Sequence, residues 1–359
     1  MRSTCLTMQL LHAFFPLSFF ATFSACTAAQ EKSTGARPVP APANVADPLA
    51  SFARMVGGEW QVTFTSGTSM FDTWHWGPGK HSLRVVTDGQ GAGGEPWREL
   101  DVVYWHPGRK EVRLLNMHRD VPGIGRGVGE GTIRFDSDTA EAVLDLYQPG
   151  VRRMLRSRWT FDGPDQYHEI LSESTGPAGF QTLVEWDRVR FDKRSQTRPV
   201  TDGESLGPSQ HLKVFEPLLA RTWEANGKWA AEGALRIQTT VDWVPYADYF
   251  YVRVIVPTND GEPTHLLDAY VYHHIGTGAV RCLALLNWGG VYEGDVTLLE
   301  GGALQLDLKG YEGDRIVLHD VRFDFEKDGT VRYRVWSIEG AERTLLLDVL
   351  HKKLEPKRD

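Results

Sequence analysis

Along most of the chain, apolar residues come in short runs separated by Gly, Asp and Pro. "DVVYW" is followed by "PGRK" and then "EVRLL", "VRFDF" by "EKDG" and then "TVRYRVW", and "RWTF" by "DGPDQ" and then "YHEIL". Short runs bounded by turn residues predict strands, and spacers such as "EKDGT" predict hairpins. Only the segments leading into Trp60 and Trp223 depart from this pattern. "DPLASFARMVGGEW" sets Leu49, Phe52, Met55 and Val56 on one face of a short helix, which Gly57-Gly58 then ends. One short helix followed by about eight to ten meandering strands predicts an antiparallel β-barrel, because closure leaves no exposed sheet edge.

The same pattern is written twice. "FARMVGGEW" (52–60) parallels "FEPLLARTW" (215–223), "WGP" (76–78) parallels "WVP" (243–245), "EVRLL" (111–115) parallels "AVRCL" (279–283), and "GVGEG" (127–131) parallels "GVYEG" (290–294). "GEPWRELDVVYWH" (94–106) parallels "GEPTHLLDAYVYH" (261–273), pairing Glu95 with Glu262, Asp101 with Asp268 and His106 with His273. The matches keep their order at an offset of about 160–170 residues. That is too long for a solenoid repeat, so each copy is a domain. The expected organisation is a signal segment at 1–26, a tether at 27–48, one barrel at 49–192, a linker at 193–212, a second barrel at 213–353 and a tail at 354–359. The linker and tether are both polar and rich in Pro, Ser, Gly or Ala, with no apolar period.

Composition changes this picture at two points. The net charge of -8 argues against nucleic acid as a partner. The first 26 residues carry one early charge, Arg2, and an apolar stretch from Leu10 to Phe23 that is short for a membrane span. Small residues then precede Cys26 in "FSAC", as in a bacterial lipoprotein signal with Cys26 lipidated. The competing reading is cleavage after Ala29, which releases a soluble periplasmic or secreted protein. With Cys5 lost and Cys26 carrying lipid, Cys282 alone remains, so the mature lipoprotein has no intrachain disulfide.

"MVGGEWQV", "WHWGPGKHSL", "DVVYWHPGRKEVRLL", "GVGEGTIRF" and "RWTFDGPDQYHEILSES" occur in one order. That order resembles a bacterial lipocalin-like (calycin-type) domain family of uncharacterised function. The first copy carries the resemblance more fully; the second has Ala220-Arg221-Thr222 where the first has its paired Gly. The resemblance implies tandem barrels with central cavities. It brings no substrate and no catalytic residues with it.

The chemistry-bearing residues are each open to a plainer reading. Glu95 and Glu262 suit polar turns. Asp101 and Asp268 are either lumen acids among aromatics or partners of Arg113 and Arg281 on a neighbouring strand. His106 and His273 end their strands, where barrel mouths form. Arg156 and Arg158 alternate onto one face that either lines an anion cavity or meets solvent. Cys282 suits a small buried hydrophobe, and His351, set against Arg188 of the first copy, could be proposed as a haem ligand as in haem-binding calycin-type barrels, whose Gly-rich entry motif this chain lacks. "GIGRGVGEG" (123–131) does not open a helix and reads as turn glycine. No spacing matches a metal motif, and no metal or cofactor is expected.

The expected function is binding or carriage of a small, partly apolar ligand by an exported, lipid-anchored protein at the cell envelope. The expected cavity residues are Trp74, Trp76, Trp105, His106, Arg156, Arg158, Trp159, Trp243, Tyr272 and His273. The alternative is an enzyme acting on a lipid-like substrate, since tandem lipocalin-like barrels include hydratases of carotenoid-type lipids. Two inward carboxylates, or a carboxylate with His, would be its mark.

Overall fold

A computed structural model describes residues 47–63, 69–91, 93–121, 124–191, 207–219, 221–228, 234–244, 248–257 and 262–354. The signal-like segment with Cys26, nearly all of the tether, most of the linker and the tail beyond 354 lie outside the described residues.

The chain forms two closed antiparallel barrels of ten strands each, with sequential strands adjacent throughout. The first comprises β1 (Glu59–Thr63), β2 (Ser69–Trp76), β3 (Ser82–Gln90), β4 (Pro96–His106), β5 (Glu111–Val121), β6 (Gly125–Asp136), β7 (Thr139–Gln148), β8 (Val151–Phe161), β9 (Gln166–Ser174) and β10 (Phe180–Phe191). The second comprises β11 (Arg221–Lys228), β12 (Ala234–Val244), β13 (Tyr249–Val256), β14 (Thr264–His274), β15 (Ala279–Leu286), β16 (Val291–Leu298), β17 (Leu304–Glu312), β18 (Arg315–Phe325), β19 (Val331–Glu339) and β20 (Glu342–Lys353). Pairing of β1 with β10 and of β11 with β20 closes them.

Each barrel is plugged at one end by a short helix of the 3₁₀ type, Ala50–Met55 and Lys213–Leu218. The buried plug residues explain the type. Leu49, Phe52 and Met55, and again Leu212, Phe215 and Leu218, recur every third residue, the repeat that stacks side chains on one side of a 3₁₀ turn. The repeated Trp locks the plug. Trp60 Nε1 donates to Met55 O at 3.0 Å and Trp223 Nε1 to Leu218 O at 3.2 Å, so each indole satisfies an orphan carbonyl at the helix end. Gly58 adopts a positive φ of 72°, and a Cβ there would lie 2.6 Å from Phe191 O. That explains the paired Gly before Trp60.

The barrels pack on each other through their outer walls. Leu100, Val102, Tyr104, Leu115, Met117 and Val128 of the first meet Tyr249, Tyr270, Tyr272, Leu283, Leu285 and Val291 of the second in one apolar cluster. The polar margin has approximate two-fold symmetry. His106 Nδ1 accepts the Arg109 N–H at 3.1 Å, its ring lies 4.4 Å from that of Tyr311, and Nε2 stands 3.7 Å from Glu293 Oε1. His274 Nδ1 accepts the Thr277 N–H at 3.2 Å, its ring lies 4.8 Å from that of Tyr147, and Nε2 stands 3.5 Å from Glu130 Oε1. A Cβ on Gly108 would strike Tyr311, and one on Gly276 would strike Tyr147. The duplication has thus become an internal, isologous-like interface.

This symmetry corrects the sequence register. The counterpart of His106 is His274, not His273. In the β13–β14 ladder Val254 faces Leu267 and Ile255 faces His265, leaving Leu266 over, whereas the β3–β4 ladder runs without a slip. This bulge shifts everything after it by one residue and so turns each side chain to the other face. Asp101 therefore matches Ala269, while Asp268 matches Leu100.

Candidate functional site

The two interiors are chemically opposite. In barrel 2, alternation brings Ile237, Thr239 and Val241 of β12, Val252 and Val254 of β13, and Ala269 and Val271 of β14 inward, with further apolar positions from β15, β17, β18 and β19. They enclose a cavity of about 150 Å³, which Phe215 and Leu218 of the plug help to wall. Small side chains make the room. Ala269 pairs with Ala284, and Val271 with Cys282, at the places where barrel 1 carries Asp101, Asn116 and Leu114. The few titratable groups are held uncharged. Burial pushes the His351 imidazole down to about 4 and the Cys282 thiol up to about 12. The His351 ring stands edge-on to Tyr333 at 5.8 Å. Thr239, Tyr333 and His351 are the polar groups on an otherwise apolar wall, the composition of a site that orients an apolar ligand with a few polar contacts.

Barrel 1 divides its interior in two. The half next to the plug is filled by its own aromatics. Trp74 and Trp159 meet edge to face at 6.0 Å, Trp159 lies 5.5 Å from Tyr167, and Trp60 lies 5.0 Å from Tyr167. Beyond them runs a belt of inward polar residues. Arg188 bridges Asp72 and Glu169, with Nε 2.7 Å from Glu169 Oε2. Glu169 also accepts from Ser157 Oγ at 2.6 Å and Trp186 Nε1 at 2.8 Å. On β4 and β5, Asn116 Nδ2 donates to Glu99 and, at 2.7 Å, to Asp101 Oδ1. His118 Nδ1 meets Asn116 Oδ1 at 2.9 Å. Burial raises both Glu99 and Asp101, and the like charges of Asp101 on Glu99 and of Glu169 on both add to it. The pair therefore holds a proton to higher pH than free carboxylates do. Burial alone pushes His118 down to about 4, so it is neutral.

The ten residues expected to line a cavity scatter. Trp74, Trp76 and Trp159 do face the interior of barrel 1, where they pack against its core. Trp105 shares the inward face of β4 with Val103 and is half-buried. Trp243 packs at a tilt on Phe250 at 5.1 Å, against the core of barrel 2, and does not itself line the cavity. His106 and Tyr272 lie in the interface between barrels, where Tyr272 OH donates to Glu130 at 3.3 Å. Tyr272 lines a polar cleft of about 70 Å³ with Arg113, Glu130, Arg281 and Glu293. His273 stacks flat on His211 at 3.8 Å. Arg156 and Arg158 stand on the outer wall of β8, because Ser157 and Trp159 between and beside them point inward. Arg156 covers Phe180 at 4.0 Å and Arg158 pairs with Glu141 at 2.7 Å. Asp101 bonds Asn116, whereas Asp268 lies at the interface, 2.6 Å from Tyr251 OH and 2.7 Å from His265 Nε2.

The residues that shape the two interiors were mostly outside the expected set. Ala269 and Ala284 carry no chemical signal at all. Glu99-x-Asp101 and Asn116-x-His118 did carry one: polar residues two apart, on strands otherwise apolar, share a face. Among the described residues no group of three or more His, Cys, Asp or Glu is placed to hold a metal ion, and no helix is long and apolar enough to cross a membrane. No family model matches the sequence, and no curated protein is similar enough to count as a relative. What is established is a tandem pair of closed ten-stranded barrels, compatible in fold with lipocalin-like proteins and with ligand binding.

Proposed function

We propose that barrel 2 binds a small apolar molecule, and that the chain does so at a bacterial cell envelope, tethered by lipid on Cys26. The observation that carries the binding reading is the uncharged, apolar cavity of about 150 Å³. A cavity of about that size with aliphatic and aromatic walls stays dry and accepts roughly benzene-sized guests. The wall favours binding over catalysis. A neutral His351 and an un-ionised Cys282 offer no acid or activated nucleophile at neutral pH.

The test is titration of the soluble domains with benzene and toluene by calorimetry and by proton NMR of the cavity methyl groups. The expected result is one saturable site with Kd of roughly 1 mM or tighter, about -4 kcal/mol. Absence of saturation, or shifts confined to surface residues, overturns the reading. For the anchor, Cys26→Ser is expected to move the protein from the membrane fraction to the soluble one; unchanged partitioning contradicts lipidation.

A further inference from the structure

The polar belt of barrel 1 is not needed to close the barrel, since barrel 2 closes with Ala269 and Ala284 at the positions of Asp101 and Asn116. Its hydrogen-bond ledger is also incomplete in a definite direction. Asn116 offers its one amide nitrogen to Glu99 and Asp101, so its Oδ1 faces His118. An oxygen there only accepts, which makes His118 Nδ1 the donor and leaves Nε2 a bare acceptor. His118 is 3% exposed, and its Nε2 has no hydrogen-bond partner. It lies over the inward face of β6, where a Cβ on Gly127 would come within 2.7 Å of it. Such an orphan in a buried network calls for a reason.

The charge count points the same way. Among the described residues the belt holds four carboxyl groups: Asp72 from β2, Glu99 and Asp101 from β4, and Glu169 from β9; Glu173, further along the same face of β9, is already matched by Arg153 at 2.7 Å. The one cation among the belt residues described is Arg188 of β10, which Asp72 and Glu169 already share. Glu99 and Asp101 keep some accessible surface although Leu100 and Val102, on the opposite face of β4, are sealed at 0% exposure against barrel 2. The surface they retain therefore faces the lumen. Trp74 shares an inward ladder row with Asp101, two strands away, since it pairs with Val85, which pairs with Asp101. Its Nε1 is likewise buried without a partner.

We propose that the interior of barrel 1 is a second binding site, for a small organic cation whose primary ammonium group donates to Glu99, Asp101 and His118 Nε2 while Trp74 encloses its apolar end. An ammonium brings three donors and one positive charge, which matches three waiting acceptors and an uncompensated carboxylate pair. A buried cation also gains from a neighbouring indole face. A metal ion fits less well, because no group of three or more ligating side chains among the described residues is suitably placed. In the empty site the carboxyl pair shares a proton, and the bound ammonium displaces it. Tyr167, pushed far up by burial and by Glu169 and Asp101, stays neutral beside them.

The test is calorimetry of the whole soluble chain at pH 7.5 with n-butylammonium chloride, in two buffers of different ionisation enthalpy, with n-butanol as the neutral isostere. Butylammonium is expected to bind saturably with release of protons, butanol is not, and excess benzene is expected not to compete. Glu99→Gln and Asp101→Asn keep shape and remove charge, so the fold is retained; each is expected to weaken butylammonium at least about tenfold. His118→Leu removes the third acceptor and is expected to weaken it as well, while Arg158→Ala on the outer wall leaves it unchanged. No saturation up to about 10 mM, equal affinity for butanol, or binding that survives Glu99→Gln and Asp101→Asn would each overturn the assignment. Because benzene reports on barrel 2 alone, failure here leaves the apolar site standing, and the reverse also holds.

Discussion

Ala284→Leu separates a ligand cavity from an ordinary packed core. Ala284 is 7% exposed and points into barrel 2. At roughly 24 cal/mol per Å³, an empty cavity of about 150 Å³ costs the barrel about 3.6 kcal/mol. Leucine adds three carbons to that space. At about 0.8 kcal/mol each they return about 2.4 kcal/mol, less about 0.5–1 kcal/mol for the fixed side chain. The net expectation is a gain of about 1.5–2 kcal/mol, or roughly 3–8 °C in the melting temperature of a domain this size. The assay is a pair of thermal melts by calorimetry, with and without toluene. The variant is expected to melt higher alone and to lose the stabilisation that toluene gives the wild type. If the space is already filled, leucine overpacks the wall and costs about 1–3 kcal/mol. A lower melting temperature, or an unchanged toluene effect, would refute the reasoning.

Three further outcomes follow from individual contacts. Arg188→Leu strands the buried carboxylates of Asp72 and Glu169, and is expected to destabilise barrel 1 by about 3–5 kcal/mol in urea unfolding; a loss below about 1 kcal/mol would mean the triad is idle. Burial would raise Glu130, but the hydrogen bond from His274 and the charge of Arg281 outweigh it and hold the carboxyl below its ordinary value. Its contribution is therefore present above the unfolded value, about pH 4.3, and is lost as pH falls through the lower folded one. Glu130→Gln is expected to cost about 1.5–3 kcal/mol at pH 7 and much less at pH 3, in urea unfolding at both; an equal cost at both contradicts this. Cys282, buried and pushed up to about 12, is expected to resist iodoacetamide at pH 8 in the folded protein and to react fully in urea; prompt alkylation of the native protein would place it elsewhere.

The architecture was legible because it rests on periodicities. Alternating runs, turn residues and the repeated Trp60 and Trp223 are written in the residues themselves, and each has one mechanical role. The register of the repeat was not. Both copies read "GEP" and then Asp and His at matching offsets, but the one-residue bulge at Leu266 sends Asp101 to a lumen and Asp268 to an interface. A bulge leaves no residue type behind, so only strand pairing reveals it. Cavities hide for a related reason. Conspicuous residues such as Trp74 and Trp159 fill space, whereas Ala269 and Ala284 create it by what they lack. The basic face of β8 misled because alternation fixes which residues share a face but not which face is inward. For Asp101 the sequence left a lumen acid and a partner of Arg113 both open; Glu99, Asn116 and His118 needed the β4–β5 register to be joined to it.

The central claim is that barrel 2 is a binding cavity and not merely a core. Native mass spectrometry of the mature protein, purified under mild conditions alongside Ala284→Leu, tests it most directly. The wild type is expected to carry a discrete small-molecule adduct that collisional activation removes, and Ala284→Leu to carry none. Wild-type protein at its bare chain mass, or the same adduct on both proteins, would contradict it.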